Sequence, residues 1–384
     1  MKNILMSTAA LAGLALVASA PARADEPALQ LGVGGYISGY AVYTDQDEPT
    51  GTDYRNFDFR KDTEVHLNGE VALDNGITAG AHMELLADRA DGGTTVEESY
   101  MYLSSSWGRV NFGEEDGIAY LLQVGAPSAD DKIDGIRPDI GTFAAATGGT
   151  LSYAQDPFRY TNKLTYITPV FNGFQAGASY TPTVGIPNTP LINYLSSSVV
   201  GLPALLAATA DQNGIAASQT TNNGDDFENG WEVAARYEGS FDAIDLAIGA
   251  GYSGANLENE TASTVFTDDL KEWNVGANIG FGAFGLGAAY ITSNNGLDDY
   301  DTDAWVAGVD YTTGPYKLGM SYLNADQEQG PATSNADVDR WTAGAIYEWG
   351  PGMTFRGAVS YQKVDDGTTD VDGTQVTLGT QLEF

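Results

Sequence analysis

No cysteine occurs among the 384 residues of this sequence. Disulfide staples and thiolate chemistry are thereby excluded, and stability has to come from packing and hydrogen bonding. Histidine is almost as scarce. His66 and His82 are the only two, little material for a metal centre or for acid–base catalysis. Positive charge is also short: 17 Lys and Arg stand against 52 Asp and Glu, a net charge of −35. That balance argues against nucleic acid as a partner and favours cations near the surface and in any aqueous cavity. Past the first twenty residues there is no apolar run long enough for a membrane helix. Such acidity can mean disorder, but 21 Tyr, 14 Phe and 42% hydrophobic residues oppose that reading.

The first residues read as a processing segment. A short basic start is followed by an apolar run over residues 4–20, and Ala22-Arg23-Ala24 places small residues at the −3 and −1 positions. The expectation is an exported chain with a signal peptide over residues 1–24 and a single domain over 25–384.

From Leu29 onward the dominant period is two. In residues 57–73 one face carries Phe57, Phe59, Thr63, Val65, Leu67, Val71 and Leu73, and the other Asp58, Arg60, Asp62, Glu64, His66, Asn68 and Glu70. Asp74-Asn75-Gly76, a tight-turn signal, follows. Sixteen alternating stretches can be counted, from residues 29–43 to residues 375–384. Their joints alternate between short turns, such as Gly282-Ala283 and Thr313-Gly314-Pro315, and long polar loops, among them 114–162 and 182–230. An even strand count with short turns on one side and long loops on the other predicts an all-β fold, a transmembrane antiparallel β-barrel. Aromatic residues recur near strand ends on the apolar face, as in Trp273 and Phe281, Trp305 and Tyr311, and Trp341 and Trp349, which fits two interfacial girdles. The opposite face is charged or very small, as at Glu232, Arg236, Gly249, Gly251 and Gly276, which fits a watered interior rather than the packed inner face of a sandwich.

One stretch breaks the alternation. Residues 111–150 begin as a strand, lose the period at Gly113 and run on as an acidic, glycine-containing segment between the fifth and sixth strands. A structureless loop of that length is usually functional, and the expectation is that it folds into the lumen.

On these residues the chain resembles the general bacterial porins of the outer membrane, especially those of alphaproteobacteria. The resemblance covers residues 25–384. Its parts are the strand LGVGGYISGYAVY, the hairpin RKDTEVHLNGEVALDNGITAGAHMEL, the passage EESYMYLSSSWGRVNFGEEDG, the hairpin KLTYITPVFNGFQAGASYTP and the ending QVTLGTQLEF. The resemblance implies a sixteen-stranded barrel, a homotrimer, and passive diffusion of small hydrophilic solutes through a Gram-negative cell outer membrane. It also implies contact with lipid and lipopolysaccharide, and recognition of the terminal Phe384 by the barrel-assembly machinery. The third long loop, 114–162, would fold inward as the constriction. The chain departs from enteric members in lacking a PEFG-type motif there; Gly125-Ala126-Pro127-Ser128 is only a loose analogue, so their detailed pore chemistry does not transfer.

Within that loop the apolar residues 118–124 are expected to pack on the inner wall, and Ser128 reads as a helix cap. Asp130, Asp131, Asp134 and Asp139 are expected at the pore constriction. Strand parity points Arg60, Arg340 and Arg356 inward, with Arg109 and Lys163 as weaker candidates. Acid on the loop opposite base on the wall would set a transverse field across the opening. No cofactor is expected. The clustered loop carboxylates or those of residues 299–303 offer hard oxygens to Ca²⁺, but counterion screening is the simpler account. A cation-leaning diffusion channel is the favoured reading. A substrate-specific channel for a sugar or other small solute is the alternative, with Tyr100, Tyr102 and Tyr120 as possible parts of an aromatic track. An enzyme is not expected, because neither histidine sits in a catalytic motif.

Overall fold

The computed structural model describes residues 29–48, 51–87, 95–141, 143–144, 149–185, 227–258, 266–328, 335–367 and 370–384. The expected signal peptide and the apolar part of the 182–230 loop lie outside the described residues. The first eight strands are β1 (Gln30–Gln46), β2 (Phe57–Ala72), β3 (Thr78–Leu86), β4 (Thr95–Ser105), β5 (Gly108–Glu115), β6 (Thr161–Ile167), β7 (Phe174–Gly185) and β8 (Phe227–Phe241). The second eight are β9 (Ile244–Leu257), β10 (Leu270–Phe281), β11 (Phe284–Ser293), β12 (Thr302–Thr313), β13 (Tyr316–Gln327), β14 (Ala336–Gly350), β15 (Met353–Asp365) and β16 (Asp370–Glu383). Each pairs antiparallel with its neighbours in sequence, and β1 pairs with β16, so the sheet is a closed sixteen-stranded barrel. Closure leaves no unpaired edge, which is the condition for a sheet to sit in hydrocarbon. No helix among the described residues is long and apolar enough to cross a membrane.

The tight turns lie at one end. Asn172 and Gly173 both take positive φ, 49° and 86°, the combination a two-residue hairpin needs for its twist to match that of the strands. Several strands run past the alternating apolar zone at the other end. β8 begins at Phe227 and β16 at Asp370, four and five residues before the expected starts at 231 and 375. Ladder hydrogen bonding continues there after the lipid-facing apolar pattern has ended, so hydrophobic periodicity alone stops short.

The barrel is apolar on the outside. Leu286, Trp305, Leu318, Trp341 and Leu378 are exposed, whereas their inward neighbours are not. Aromatic rings gather in two belts. One includes Trp231 against Tyr252, Tyr290 against Trp305 and Tyr322 against Trp341, with centroids 5.0, 4.3 and 4.1 Å apart. The other includes Phe284 against Tyr311 and Tyr316 against Tyr347, at 4.7 and 4.9 Å. Such rings sit at the two membrane–water boundaries.

The inner face is not uniformly watered, contrary to the expectation from its sequence pattern. On β11–β15 the inward residues Ala289, Ile291, Ala304, Val306, Leu323, Ala325, Ala336, Val338 and Val364 are buried and pack with Ala126, Leu151 and Tyr153 of the 116–160 loop. The barrel therefore has a dry half, where the loop is its core. A single strand's alternation does not show that its small inward residues are covered by a segment nearly two hundred positions away.

Candidate functional site

The loop leaves β5 at Glu115 and enters α1 (Ile118–Leu121), whose Ile118 is buried with Leu122 and Ala234 of β8. The amide of Ile118 donates to Ser179 Oγ of β7 at 3.1 Å. The chain then crosses a track of inward glycines. A Cβ on Gly249 would lie 2.8 Å from Val124 Cγ2, one on Gly319 would lie 2.6 Å from Ala129 Cα, and at Gly276 and Gly308 it would strike the carbonyls of Val124 and Pro127. These glycines are there because loop backbone lies directly on strand backbone. Asn278 fixes the register by donating to the Gly125 carbonyl at 2.8 Å.

The return arm is held by amide side chains. Gln155 is completely buried. Its Nε2 donates to Ser253 Oγ and to the Glu272 carbonyl, both at 2.9 Å, and its Oε1 accepts from Asn274. At the loop's base Lys163 is buried, its ammonium donating to the carbonyls of Glu115, Phe158 and Thr161. Asp116 and Asp156, one from each arm, clamp the guanidinium of Arg137. Arg137 also lies over the Tyr120 ring, 3.9 Å from its centroid. Burial, together with the neighbouring Asp116, pushes the Asp156 carboxyl up to about 7 against the pull of Arg137 and Arg159.

At its far end the loop forms α2 (Asp131–Asp134) and docks on β13–β15, β1 and β2. Asp130, not Ser128, is the N-cap: its side chain accepts from the Lys132 amide. The same carboxylate accepts from Arg356 Nη1 at 2.7 Å and from the Tyr40 hydroxyl at 2.9 Å. Asp134 accepts from Ser321 Oγ at 2.6 Å, and burial raises its carboxyl above the usual range. Arg340 donates to the Leu151 carbonyl at 3.2 Å. Lys132 reaches Asp62 at 2.6 Å and Asp139 at 3.0 Å. Burial opposes its charge, but Asp139 and Asp62 outweigh that and hold the ammonium above its ordinary range.

These placements divide the expected constriction residues. Asp130 and Asp134 are 0% and 1% exposed and fasten the loop to the wall. Asp131 and Asp139 are exposed. Arg340 and Arg356 lie underneath the loop in direct contact with it, so they do not stand opposite its acids across open water. Arg60 is exposed and pairs with Asp58 at 3.2 Å; among the described residues no contact brings it to the loop. Arg109 lies over the Tyr102 ring at 3.8 Å on the wall of β4 and β5. Tyr40, Lys132, Gln155, Ser321 and the Arg137 clamp were not singled out from the sequence. Inward parity could have flagged Tyr40 and Ser321, but nothing local marks Gln155.

The wall of β2–β4 carries no part of the glycine track. Its inward side presents Glu64 and His66 from β2, His82 and Glu84 from β3, and Glu98 and Tyr100 from β4. The side chains of Glu64, His66, His82, Glu84 and Glu98 are all partly exposed.

The model of the Gram-negative porin family matches residues 7–367. An uncharacterized protein of Rickettsia conorii is 24% identical over 367 residues, covering 81% of each chain, and one of Rickettsia prowazekii is 22% identical over 376 residues with the same coverage. Among solved structures, an anion-selective porin from Comamonas acidovorans has a TM-score of 0.61 at 16% identity, covering 93% of this chain and 100% of that one. Salmonella typhi OmpF has a TM-score of 0.61 at 18% identity, covering 92% and 98%.

Proposed function

The chain belongs to the family of Gram-negative porins, and on that footing we propose that it forms a water-filled, cation-leaning channel for passive diffusion of small hydrophilic solutes and ions. The observation that carries the cation preference is the sign of the groups on both sides of the passage. The loop offers exposed Asp131 and Asp139. The β2–β4 wall offers Glu64, Glu84 and Glu98. The nearby cations are already engaged: Lys132 with Asp62 and Asp139, Arg137 with Asp116 and Asp156, and Arg356 with Asp130. Fixed carboxylates bordering a narrow aqueous path concentrate cations. The barrel itself does not decide the sign, since the equally similar Comamonas structure is an anion-selective porin.

A substrate-specific channel has less support. Tyr102 donates to Glu70 at 2.7 Å and Tyr100 accepts from Arg109 at 3.4 Å, while Tyr120 is covered by Arg137. The three tyrosines do not line up as one track. An exported homotrimer in the outer membrane completes the reading. Its support is a gap in the aromatic belts: β3 and β4 turn Ala79, Ala81, Met83, Met101 and Leu103 outward and no ring. An apolar face without interfacial anchors suits contact with a second copy better than contact with headgroups.

Planar-bilayer recording of the purified protein under a KCl gradient tests the function. Ohmic steps with a reversal potential on the cation side are expected. Absence of steps would remove the channel, and an anion-side reversal would remove the selectivity.

A further inference from the structure

The only two histidines of the chain, sixteen positions apart in sequence, face each other on the inner wall with ring centroids 5.6 Å apart. The register places His66 of β2 opposite Glu84 of β3, and His82 of β3 opposite Asn68 of β2. Glu84 Oε2 lies 3.4 Å from His66 Nδ1 and 3.9 Å from His82 Nε2, and Glu98 Oε2 lies 3.7 Å from the same His82 nitrogen. The coordinating atoms of His66, His82 and Glu84 all fall within 4.8 Å of one another.

These separations are long for hydrogen bonds. The 3.4 Å separation matches the edge of a coordination tetrahedron, about 3.3–3.4 Å for metal–ligand bonds of about 2.0–2.1 Å, and the 3.7 and 3.9 Å separations exceed it by a few tenths of an ångström. The outward sides of both rings are also arranged for ligation. His82 Nδ1 faces Asn68 Oδ1 at 2.8 Å. Because that oxygen only accepts, Nδ1 carries the hydrogen and Nε2 presents its lone pair toward Glu84. His66 stands between two carboxylates, with Nε2 3.5 Å from Glu64 Oε2 and Nδ1 3.4 Å from Glu84 Oε2, so in its Nε2–H tautomer the Nδ1 lone pair points toward Glu84. With His66 in that tautomer, two bare ring nitrogens and a carboxylate oxygen converge, and the far side of each ring faces an amide or carboxylate oxygen, as in metal-bound histidines.

We propose that His66, His82 and Glu84, with Glu98 or a water as fourth donor, form a transition-metal site on the channel wall that takes Zn²⁺ or a similar borderline ion from the permeating water. Asn68 and Glu64 orient the two imidazoles. The imidazole pair selects against Ca²⁺ and Mg²⁺, which prefer oxygen alone. The neighbouring set Glu64, Glu84 and Glu97 is the all-oxygen competitor. A bound divalent ion adds two positive charges to the wall on which the cation preference rests, so occupancy lowers that preference.

Isothermal titration of the detergent-purified barrel with Zn²⁺ at pH 7.5 tests the site without requiring any channel activity. One ion per chain is expected. His66→Ala and His82→Ala should each weaken binding at least about 100-fold, and Asn68→Ala about 10-fold, as loss of an orienting partner does. Co²⁺ should give the visible bands of a tetrahedral ion with nitrogen ligands, and lose them in His82→Ala. The heat-dependent gel shift of a folded barrel controls for folding, with His66→Gln and His82→Gln as milder variants. Zn²⁺ binding that survives both histidine substitutions would overturn the proposal, as would equal affinity for Ca²⁺, or no binding at pH 7.5, which would leave the cluster as protonated histidines among carboxylates. In bilayers, Zn²⁺ should shift the reversal potential of the wild type and not of His82→Ala. A barrel that binds Zn²⁺ but does not conduct would sink the channel reading alone.

Discussion

Replacing Arg356 with Ala isolates what the Asp130 carboxylate does. The Arg356–Asp130 pair is close, 2.7 Å, and the two side chains are 9% and 1% exposed, so solvent screening is slight. Removing one partner of a buried pair costs about 3–5 kcal/mol, because the other charge is left without compensation. That cost does not unfold the barrel, whose ladder is continuous. Nor does it release the whole loop, since Ile118, Leu151, Tyr153 and Phe158 are each essentially fully buried elsewhere and each contributes about 1.5–3 kcal/mol of apolar burial. The strain falls on α2 and its flanks, residues 128–141, where the Tyr40 hydroxyl, Ser321, Lys132, the Arg137 clamp and the buried Ile133 and Ile140 still hold. A loss of about 3 kcal/mol shifts a docked–undocked equilibrium by about 150-fold. Hydrogen exchange followed by mass spectrometry should show the 131–140 amides exchanging faster by about that factor, with the 118–124 amides unchanged. Single-channel records should become noisier as α2 samples the lumen. Combining Arg356→Met with Asp130→Asn removes both charges yet keeps a side chain able to cap α2 and accept from Tyr40, and should recover most of the protection. Wild-type exchange in Arg356→Ala would refute the tether, and a double variant as labile as the single one would refute the buried-charge account of it.

Three further outcomes follow from the same geometry. Asp131→Asn with Asp139→Asn should reduce the cation-side reversal potential, because these acids meet water, and an unchanged potential would exclude them from the permeation path. Gly319→Val should lift the loop from β13, raising conductance and loop exchange while the barrel's melting transition stays in place, since the new side chain meets Ala129 backbone and no neighbouring strand atom is among its nearest contacts. The pH dependence turns on Asp156. Its carboxyl is raised from 3.8 to about 7 by burial and Asp116, so the docked loop binds the proton more tightly than the released loop. That contribution is complete below pH 4 and is lost as pH rises through about 7. The protection of residues 136–137 and 153 against exchange, corrected for the base-catalysed intrinsic rate, should therefore fall between pH 5 and 8, and Asp156→Asn should flatten the trend.

The barrel was legible because a strand's information is local. Alternation at period two assigns each residue to lipid or lumen, and Asp74-Asn75-Gly76 or Phe171-Asn172-Gly173 marks where the chain reverses; these calculations need only neighbours in sequence. The docked loop was half legible for the same reason. Residues 118–124 are apolar in a row, and their packing against the wall could be anticipated. Their landing place could not, because a glycine on β10 or β12 reads as merely small until Val124 or Pro127 is found on top of it. Parity likewise turned Arg340 and Arg356 inward but could not tell a side chain facing water from one lying beneath the loop, which is the difference between a filter and a fastener.

The histidines show the limit most sharply. Singly, His66 and His82 are inward polar residues with nothing to mark them. Their meaning depends on one register, Asn68 opposite His82 and His66 opposite Glu84. A slip of one residue in the β2–β3 pairing would turn one ring of the pair to the lipid. What fixes that register is the hairpin turn at Asp74-Asn75-Gly76, where Gly76 takes φ +80° and its amide donates to the Leu73 carbonyl at 3.0 Å. Lengthening this turn by one residue thus becomes a test that links fold to site. If the barrel absorbs the insertion in the turn, Zn²⁺ affinity should be kept. If β2 instead shifts against β3, the imidazoles part, and Zn²⁺ binding should be lost while the barrel still shows its heat-dependent gel shift. Retained affinity alongside a shifted register, read from cross-linking of cysteines placed at the paired positions 71 and 79, would mean that the ion is held by the carboxylates alone.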